Sequence, residues 1–177
     1  VFYIQSEING GVMLDIPLNE QDWQIDAEKI IQASKDEKVK LVFICNPNNP
    51  TGTVSSREKI EQVISQSDCL VVVDEAYREF YGETVNDLID KYDNLIVLRS
   101  FSKFASIAAA RVGYLLTNRY LAEKLDALRF PMGIAFFSME IAKLVLKEDR
   151  KYIDELVEDT KEERERMKKV LRNSGLK

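Results

Sequence analysis

One short stretch of the sequence combines a lysine with two hydroxyl side chains and an arginine, directly after the apolar run Asn94–Leu98. These residues are Ser100, Ser102, Lys103 and Arg111. A lysine amine can bond covalently to an aldehyde carbon, whereas hydroxyl and guanidinium groups suit a phosphate. The stretch is therefore consistent with a site for a phosphorylated aldehyde cofactor. From spacing alone the alternative stays open, in which Ser102 caps a helix and Arg111 forms a surface salt bridge.

Three further polar residues follow other apolar runs. Asp74 ends the run Cys69–Val73, where a carboxylate needs a partner. A pyridinium N–H is such a partner, and the alternative is a carboxylate that caps the following turn. Tyr77 could donate to a ring phenolate oxygen or pack as an ordinary aromatic side chain. Asn49 lies in the turn-rich segment Asn46–Gly52, where its amide could reach the same ring oxygen or form an Asx turn.

Strand-like and helical patterns alternate along the chain. The apolar runs predict strands at Val12–Ile16, Lys40–Cys45, Cys69–Val73, Asn94–Leu98 and Val112–Leu116. Helical patterns cover 1–9, 27–34, 84–91, 120–129, 136–147 and 150–173. Pro131 and Gly133 interrupt the helical pattern between the fourth and fifth of these ranges. A further helix is predicted after Ser55–Glu58, which has the spacing of a capping box. The charged run Lys161–Arg166 is interpreted as a solvated face. The alternation indicates an α/β layered domain, in which ligands gather at the carboxyl ends of parallel strands.

Composition restricts the classes of function. The chain has 177 residues, enough for a globular domain with a sizeable core, and its net charge of −5 argues against a nucleic-acid surface. We find no apolar run of the about 18 residues that a membrane-spanning helix needs. Because the sequence has no histidine, a Ser-His-Asp triad and a His-ligated metal site are excluded within this chain. Cys45 and Cys69 lie in apolar runs, which predicts reduced core thiols and fits a cytoplasmic protein.

The motifs Asn49–Gly52, Asp74–Tyr77 and Ser100–Lys103, followed by Arg111, occur in this order along the chain. Together they resemble the signature of the fold-type I pyridoxal-phosphate aminotransferases. The longer string Asn-Pro-Asn-Asn-Pro-Thr-Gly at 46–52 and the string Arg-Ser-Phe-Ser-Lys at 99–103 are most similar to the histidinol-phosphate aminotransferase branch. The similarity covers nearly the whole chain, including the spacing between the aspartate and the lysine.

The resemblance implies a role for each residue that contacts the cofactor ring. Lys103 is expected to bond covalently to the aldehyde carbon of pyridoxal phosphate and to shuttle the Cα proton of the substrate. Asp74 is expected to pair with the pyridine nitrogen. The 3-oxygen of the ring is assigned to Tyr77 and Asn49.

The same resemblance assigns the cofactor phosphate to Ser100, Ser102 and Arg111. After the lysine the family usually reads Ala-Phe-Gly-Leu-Ala-Gly, whereas this sequence has Phe-Ala-Ser-Ile-Ala-Ala at 104–109. The small residues and the interval from Lys103 to Arg111 are kept, so we expect phosphate binding to be kept as well. A second departure is the segment 131–137, which is more apolar than usual and lies near the substrate in the family.

The resemblance also predicts the fold and the organisation of the chain. It implies an α/β fold, a three-layer αβα large domain with a mixed, mainly parallel sheet, present here as a fragment. Residues 1–150 would be part of the large cofactor-binding domain, and 151–177 a long helix leading to a missing C-terminal small domain. The family's first strands and glycine-rich phosphate segment are expected before this chain, and its substrate-carboxylate arginine after it. We therefore expect the chain alone to be inactive and the full-length protein to be a homodimer.

Three functions follow as hypotheses. The first is transamination between an amino acid or amino alcohol phosphate, such as histidinol phosphate, and 2-oxoglutarate. Its partners are small molecules, with neither nucleic acid nor a membrane involved. The second is a threonine-phosphate-type decarboxylase, which uses the same cofactor cradle. The third is a non-catalytic α/β interaction domain, whose mark would be loss of Lys103 or Asp74, and both are present.

Overall fold

Four strands form one mixed sheet in the computed structural model, which describes residues 2–129, 133–147 and 150–175. The sheet order is β1 (Leu41–Cys45), β2 (Leu70–Asp74), β3 (Leu95–Ser100) and β4 (Gly113–Thr117). β1, β2 and β3 are parallel, and β4 pairs with β3 in the antiparallel direction. The expectation of a mixed, mainly parallel sheet is therefore confirmed.

The helices of the described residues lie close to the predicted positions. They are α1 (Phe2–Ile8), α2 (Ala27–Ser34), α3 (Arg57–Gln66), α4 (Arg119–Leu128), α5 (Phe136–Lys147) and α6 (Arg150–Asn173). Shorter 3-10 turns occur at Arg78–Phe80, Asn86–Asp90 and Ala108–Ala110. The segment 84–91, predicted as a short helix, thus forms only a 3-10 turn. Pro131, at the predicted interruption between helices, lies outside the described residues.

Side chains of the sheet alternate between two faces, and each face is covered differently. One face packs with α2 and α3 into the main core, whose buried residues include Ile30, Ile44, Ile60, Val63, Ile64, Val71, Val73, Leu95 and Val97. On the other face Phe2 of α1 stacks on Phe43 of β1 with ring centroids 4.3 Å apart. Val72 and Ile96 are also buried on this second face. The sheet therefore lies between helices, as the α/β prediction requires.

A second core fixes the loop that follows β3. Phe101, Phe104 and Val112 pack with apolar side chains of α5 and α6, which include Ala142, Val145, Ile153 and Val157. The rings of Phe101 and Phe104 lie 5.5 Å apart. Because Lys103 lies between these two buried aromatics, its backbone is anchored although its own side chain is exposed.

Two local predictions are wrong. Val12–Ile16 is not a strand, since residues 11–19 have no regular secondary structure. Val12 is 97% exposed and Leu14 is 63% exposed, whereas Ile16 and Leu18 pack against the core, so the apolar alternation of Val12–Ile16 marks neither strand pairing nor one buried face. The helix-starting serine is Ser56, whose Oγ accepts from Lys59 N at 3.3 Å. Ser55 is instead buried and accepts from Ile25 N at 3.0 Å.

The two cysteines and the helix lengths bear on other expectations. Cys45 and Cys69 are free thiols, as predicted, but both are half-buried and lie at the margin of the core and not within it. Within residues 2–129, 133–147 and 150–175, every helix is either too short or too polar to cross a membrane.

Candidate cofactor site

Three segments meet at the carboxyl edge of the parallel strands. Cys45 and Leu98 both stand beside Asp74 in the strand register. Just past the strands, Asn46 N donates to Asp74 O at 2.9 Å, and Glu75 N donates to Leu98 O at 2.9 Å. These bonds extend the sheet pairing into the loops, so the loops after β1, β2 and β3 begin side by side.

Three of the predicted site residues come into contact at this edge. Asn49 Nδ2 donates to Tyr77 Oη at 3.0 Å. Lys103 Nζ lies 5.2 Å from the centroid of the Tyr77 ring, within the range of a cation–π interaction. An amide, a phenol and a primary amine from three separate loops therefore face one small region.

Internal hydrogen bonds hold the loop that presents Asn49. Asn48 N donates to Thr53 O at 2.8 Å, and Asn48 Nδ2 donates to Thr51 Oγ1 at 2.8 Å. Gly52 has a φ of +67°, a left-handed conformation that favours glycine. The loop is thereby fixed by its own polar groups, and the Asn49 amide can bind outward to Tyr77.

Asp74 occupies the end of β2 and is half-buried. Its Oδ1 accepts from Ala76 N at 2.9 Å, which is the turn-capping bond of the alternative interpretation. A carboxylate has two oxygens with several lone pairs, so this bond does not exhaust its capacity as an acceptor. Its charge also acts locally: burial raises the pKa of the neighbouring Cys45 thiol, and the Asp74 carboxylate raises it further.

The predicted phosphate ligands are brought together only in part. Ser102 N donates to Ser100 Oγ at 3.1 Å, and both serines are half-buried. Ser102 lies in a turn, so it does not cap an α-helix. Arg111 is exposed, has a φ of +53°, and its Nη1 donates to Ala108 O at 3.1 Å. The serines therefore form one unit, whereas Arg111 binds the loop just before it.

An ion pair that was not predicted from the sequence lies at the carboxyl ends of β2 and β3, on the face of the sheet that packs against α2 and α3. Glu75 Oε2 lies 2.6 Å from Arg99 Nη2, and both side chains are buried. A signal was present, because an acid and a base each stand next to a predicted site residue at the ends of neighbouring strands. The pairing itself depends on strand register, which the sequence pattern does not give.

A cleft of about 660 Å³ opens beside Asn49 and Tyr77. Its far wall is α6, which contributes Thr160, Arg164 and Lys168. Arg164 Nη1 donates to Phe80 O at 2.8 Å, so this residue of the predicted solvated face also fastens α6 to the loop after β2.

A larger hollow of about 930 Å³ lies at the opposite edge, lined by residues such as Lys35, Asp68 and Asn94. None of the predicted site residues lines it. Of the predicted site residues, Asn49 and Tyr77 line the cleft beside α6. Because ligands of parallel sheets bind at the carboxyl ends of strands, this edge of the sheet is the better candidate for a functional site.

The donor set at the carboxyl edge fits pyridoxal phosphate. A ring of this kind needs an acceptor for its pyridine N–H, donors for its 3-oxygen and an amine for its aldehyde. Asp74 supplies a carboxylate, the bonded pair of Asn49 and Tyr77 supplies polar hydrogens, and Lys103 supplies an amine above the Tyr77 ring.

The chain is similar to proteins of known family. Residues 2–177 match the family described as aminotransferase class I and II. A histidinol-phosphate aminotransferase of Clostridium kluyveri is 42% identical over 159 residues, which are 90% of this chain and 45% of that protein.

Solved structures resemble it as well. The histidinol-phosphate aminotransferase of Sinorhizobium meliloti, in complex with pyridoxal-5'-phosphate, matches with a TM-score of 0.87 and 26% identity over 98% of this chain and 48% of that one. A decarboxylase of Sulfurospirillum multivorans matches with a TM-score of 0.73 and 30% identity, covering 88% of this chain and 47% of its own. The chain thus spans about half the length of the relatives it matches.

Proposed function

Because this chain belongs to the class I and II aminotransferase family, we propose that the full-length protein containing it is a pyridoxal-phosphate-dependent transaminase. The observation that carries the proposal is the meeting of Asn49, Tyr77 and Lys103 beside Asp74. Amide, phenol, amine and carboxylate groups come from three different loops, and each matches one functional group of the cofactor ring.

Each ring-contacting residue has a chemical task. When bound, pyridoxal phosphate supplies an electron-withdrawing ring that stabilises negative charge on the substrate Cα. The Asp74 carboxylate holds a proton on the pyridine nitrogen, because an anionic acceptor favours the protonated ring. Tyr77 Oη and Asn49 Nδ2, already bonded to one another, donate to the 3-oxygen. Lys103 would bond to the aldehyde carbon through its amine, with loss of water, and its free amine would carry the substrate Cα proton.

The cofactor phosphate is assigned to Ser100, Ser102 and Arg111. The two serines are held together by the bond between Ser102 N and Ser100 Oγ, at the end of a buried strand. The exposed guanidinium of Arg111 can pair with two phosphate oxygens at once. Its left-handed backbone is fixed within the loop, which limits the directions that the side chain can take.

We assign histidinol phosphate as the amino donor and 2-oxoglutarate as the acceptor. The donor rests on the 42% identity to the enzyme of C. kluyveri that bears that name. A decarboxylase is the second candidate, and the 30% identity to the S. multivorans protein favours it over other reactions. The two reactions differ in which bond of the substrate is broken, and the groups that orient the substrate would decide this.

Several further properties are part of the same proposal. Residues 1–150 belong to a large cofactor-binding domain, and 151–177, which include most of α6, lead to a small domain. The full-length protein acts as a cytoplasmic homodimer on small-molecule substrates. The 177-residue chain on its own has no transaminase activity, since it spans about half of its relatives.

The experiment uses the full-length protein with added pyridoxal phosphate, histidinol phosphate and 2-oxoglutarate. Formation of glutamate supports the transaminase. A parallel assay supplies threonine phosphate, which has the carboxyl group that histidinol phosphate lacks, and release of carbon dioxide there without glutamate supports the decarboxylase. The Lys103→Ala variant is expected to lose turnover, while Lys91→Ala, which removes a lysine that precedes β3 and binds Glu61, keeps it. Undiminished turnover in Lys103→Ala would overturn the assignment.

A further inference from the structure

The buried ion pair Glu75–Arg99 stands directly behind the candidate site. Glu75 is 2% exposed, and Arg99 is 8% exposed. Glu75 follows Asp74 in the chain, and Arg99 precedes Ser100. Side chains alternate along a strand, so the ion pair points to the face of α2 and α3 while Asp74 and Ser100 point to the opposite face.

The pair is connected to the loop after β2 as well as to β3. Glu75 Oε1 accepts from Val85 N at 2.8 Å, and Thr84 Oγ1 lies 2.8 Å from both Glu75 Oε2 and Arg99 Nη2. Glu79 Oε1 lies 3.5 Å from Arg99 Nη1. One guanidinium thereby joins the start and the end of the loop that contains Tyr77 to the strand that leads into Lys103.

We propose that Glu75 and Arg99 are positioning residues for the cofactor: they fix the loop with Asp74 and Tyr77 against the loop with Ser100 and Lys103. This inference rests on the proposed function. Its physical basis is that the two loops carry opposite ends of one ligand site. Lys103 lies 5.2 Å from the Tyr77 ring, which is a long contact, and Phe80 of the first loop packs against the apolar cluster that contains Phe101 and Phe104. The ion pair supplies short bonds at the root of both loops instead.

A purely structural role is the alternative, and the energetics of buried ion pairs make it testable. Replacing both charges by uncharged groups of similar shape is often neutral for stability, whereas removing one charge leaves the other buried without a partner. A double variant can therefore keep the fold and lose only the geometric link between the loops.

The experiment compares two double variants of the full-length protein, loaded with pyridoxal phosphate. Glu75→Gln/Arg99→Met removes the ion pair behind the site. Arg57→Met/Asp87→Asn is the matched control, because Arg57 binds Asp87 at 2.6 Å and Thr84 O at 2.6 Å, and among the described residues it forms no hydrogen bond or ion pair with β3. Circular dichroism tests the fold of each variant. Equilibrium dialysis then gives the dissociation constant of pyridoxal phosphate, and a pH titration follows the visible absorbance of the bound cofactor.

We expect Glu75→Gln/Arg99→Met to fold, to bind pyridoxal phosphate about tenfold or more weakly, and to titrate at a different pH from wild type. Tenfold is the lower end of the loss seen when residues that orient metal ligands are removed. The control is expected to keep the wild-type dissociation constant and titration. Wild-type values for Glu75→Gln/Arg99→Met, or an equal loss in the control, overturn the inference.

If the double variant does not fold, Arg99→Lys decides. Lysine keeps the positive charge but lacks the planar guanidinium that reaches Glu75, Glu79 and Thr84 together. We therefore expect the same weaker binding of pyridoxal phosphate and the same shift of its pH titration. Wild-type values for Arg99→Lys overturn the inference. Failure of the proposed function gives a different result, since the wild-type protein itself would then not bind pyridoxal phosphate.

Discussion

Replacement of Gly113 by alanine tests whether the close pairing of β3 and β4 holds the candidate phosphate site. Gly113 stands opposite Ser100 in the antiparallel pair. A Cβ atom at Gly113 would lie 2.9 Å from Arg99 O. Carbon–oxygen contacts between neighbouring strands are about 3.3–3.6 Å, so the strands must separate by about 0.4–0.7 Å. Overpacking of this kind costs about 1–3 kcal/mol of unfolding free energy.

The cost appears in two measurements. With a urea dependence of about 2 kcal/mol per molar, the midpoint of unfolding is expected to fall by about 0.5–1.5 M. The dissociation constant of pyridoxal phosphate is expected to rise, because the strand displacement moves Ser100. Circular dichroism in urea and equilibrium dialysis provide the two values.

Gly10→Ala serves as the matched control. Gly10 has a φ of +74° and no heavy atom within 4 Å of an added Cβ, so alanine there introduces backbone strain without a clash. We expect a cost of about 1–2 kcal/mol with unchanged cofactor affinity. The reasoning fails if Gly113→Ala keeps the stability and the cofactor affinity of the wild-type protein.

Two other predictions concern hydrogen bonds and charge. Tyr77→Phe removes the acceptor of the Asn49 amide, so we expect a loss of at most about 0.5–1.5 kcal/mol of unfolding free energy, measured by thermal melting. We also expect clearly weaker binding of pyridoxal phosphate in equilibrium dialysis. Equal affinity of the variant and the wild-type protein would speak against a ring-binding role for Tyr77. The Arg57 guanidinium lowers the pKa of Asp87 in the folded protein. The pair therefore stabilises the fold at pH values above the unfolded pKa of Asp87, which is about 3.9. This stabilisation is lost as the pH falls through the lower pKa of the folded state. Because the Asp87 side chain is 64% exposed, Asp87→Asn is expected to lose only about 0.2–1 kcal/mol of unfolding free energy at pH 7. The loss should shrink as the pH falls through the folded pKa of Asp87, and a loss in urea titrations that does not shrink in acid would contradict this expectation.

The regular elements were predictable where local signals agree. α2 lies within its predicted bounds because Asp26 caps it, accepting from Lys29 N at 3.1 Å, and because its apolar residues share one face. The strands differ from prediction by one or two residues, since an apolar run marks burial more sharply than it marks pairing. Val12–Ile16 shows the limit: its alternation satisfied the strand pattern, but strand formation requires a neighbour in the sheet.

The residues of the candidate site could be named from the sequence, but the contacts between them could not. Lys103, Tyr77 and Asn49 could be named because each follows a strand-like run, and parallel strands place such ends at one edge. The bond between Asn49 and Tyr77, and the ion pair Glu75–Arg99, depend on register between strands far apart in sequence. No local pattern encodes that register. The cofactor roles of these residues stay predictions.

The covalent bond between Lys103 and the cofactor is the central claim, and borohydride trapping tests it most directly. The full-length protein is loaded with pyridoxal phosphate, reduced, digested and sequenced by mass spectrometry. The account predicts that the cofactor mass is fixed on the peptide that contains Lys103, and that Lys103→Ala carries none. Cofactor fixed on another lysine, or no fixed cofactor in the loaded wild-type protein, would contradict the account.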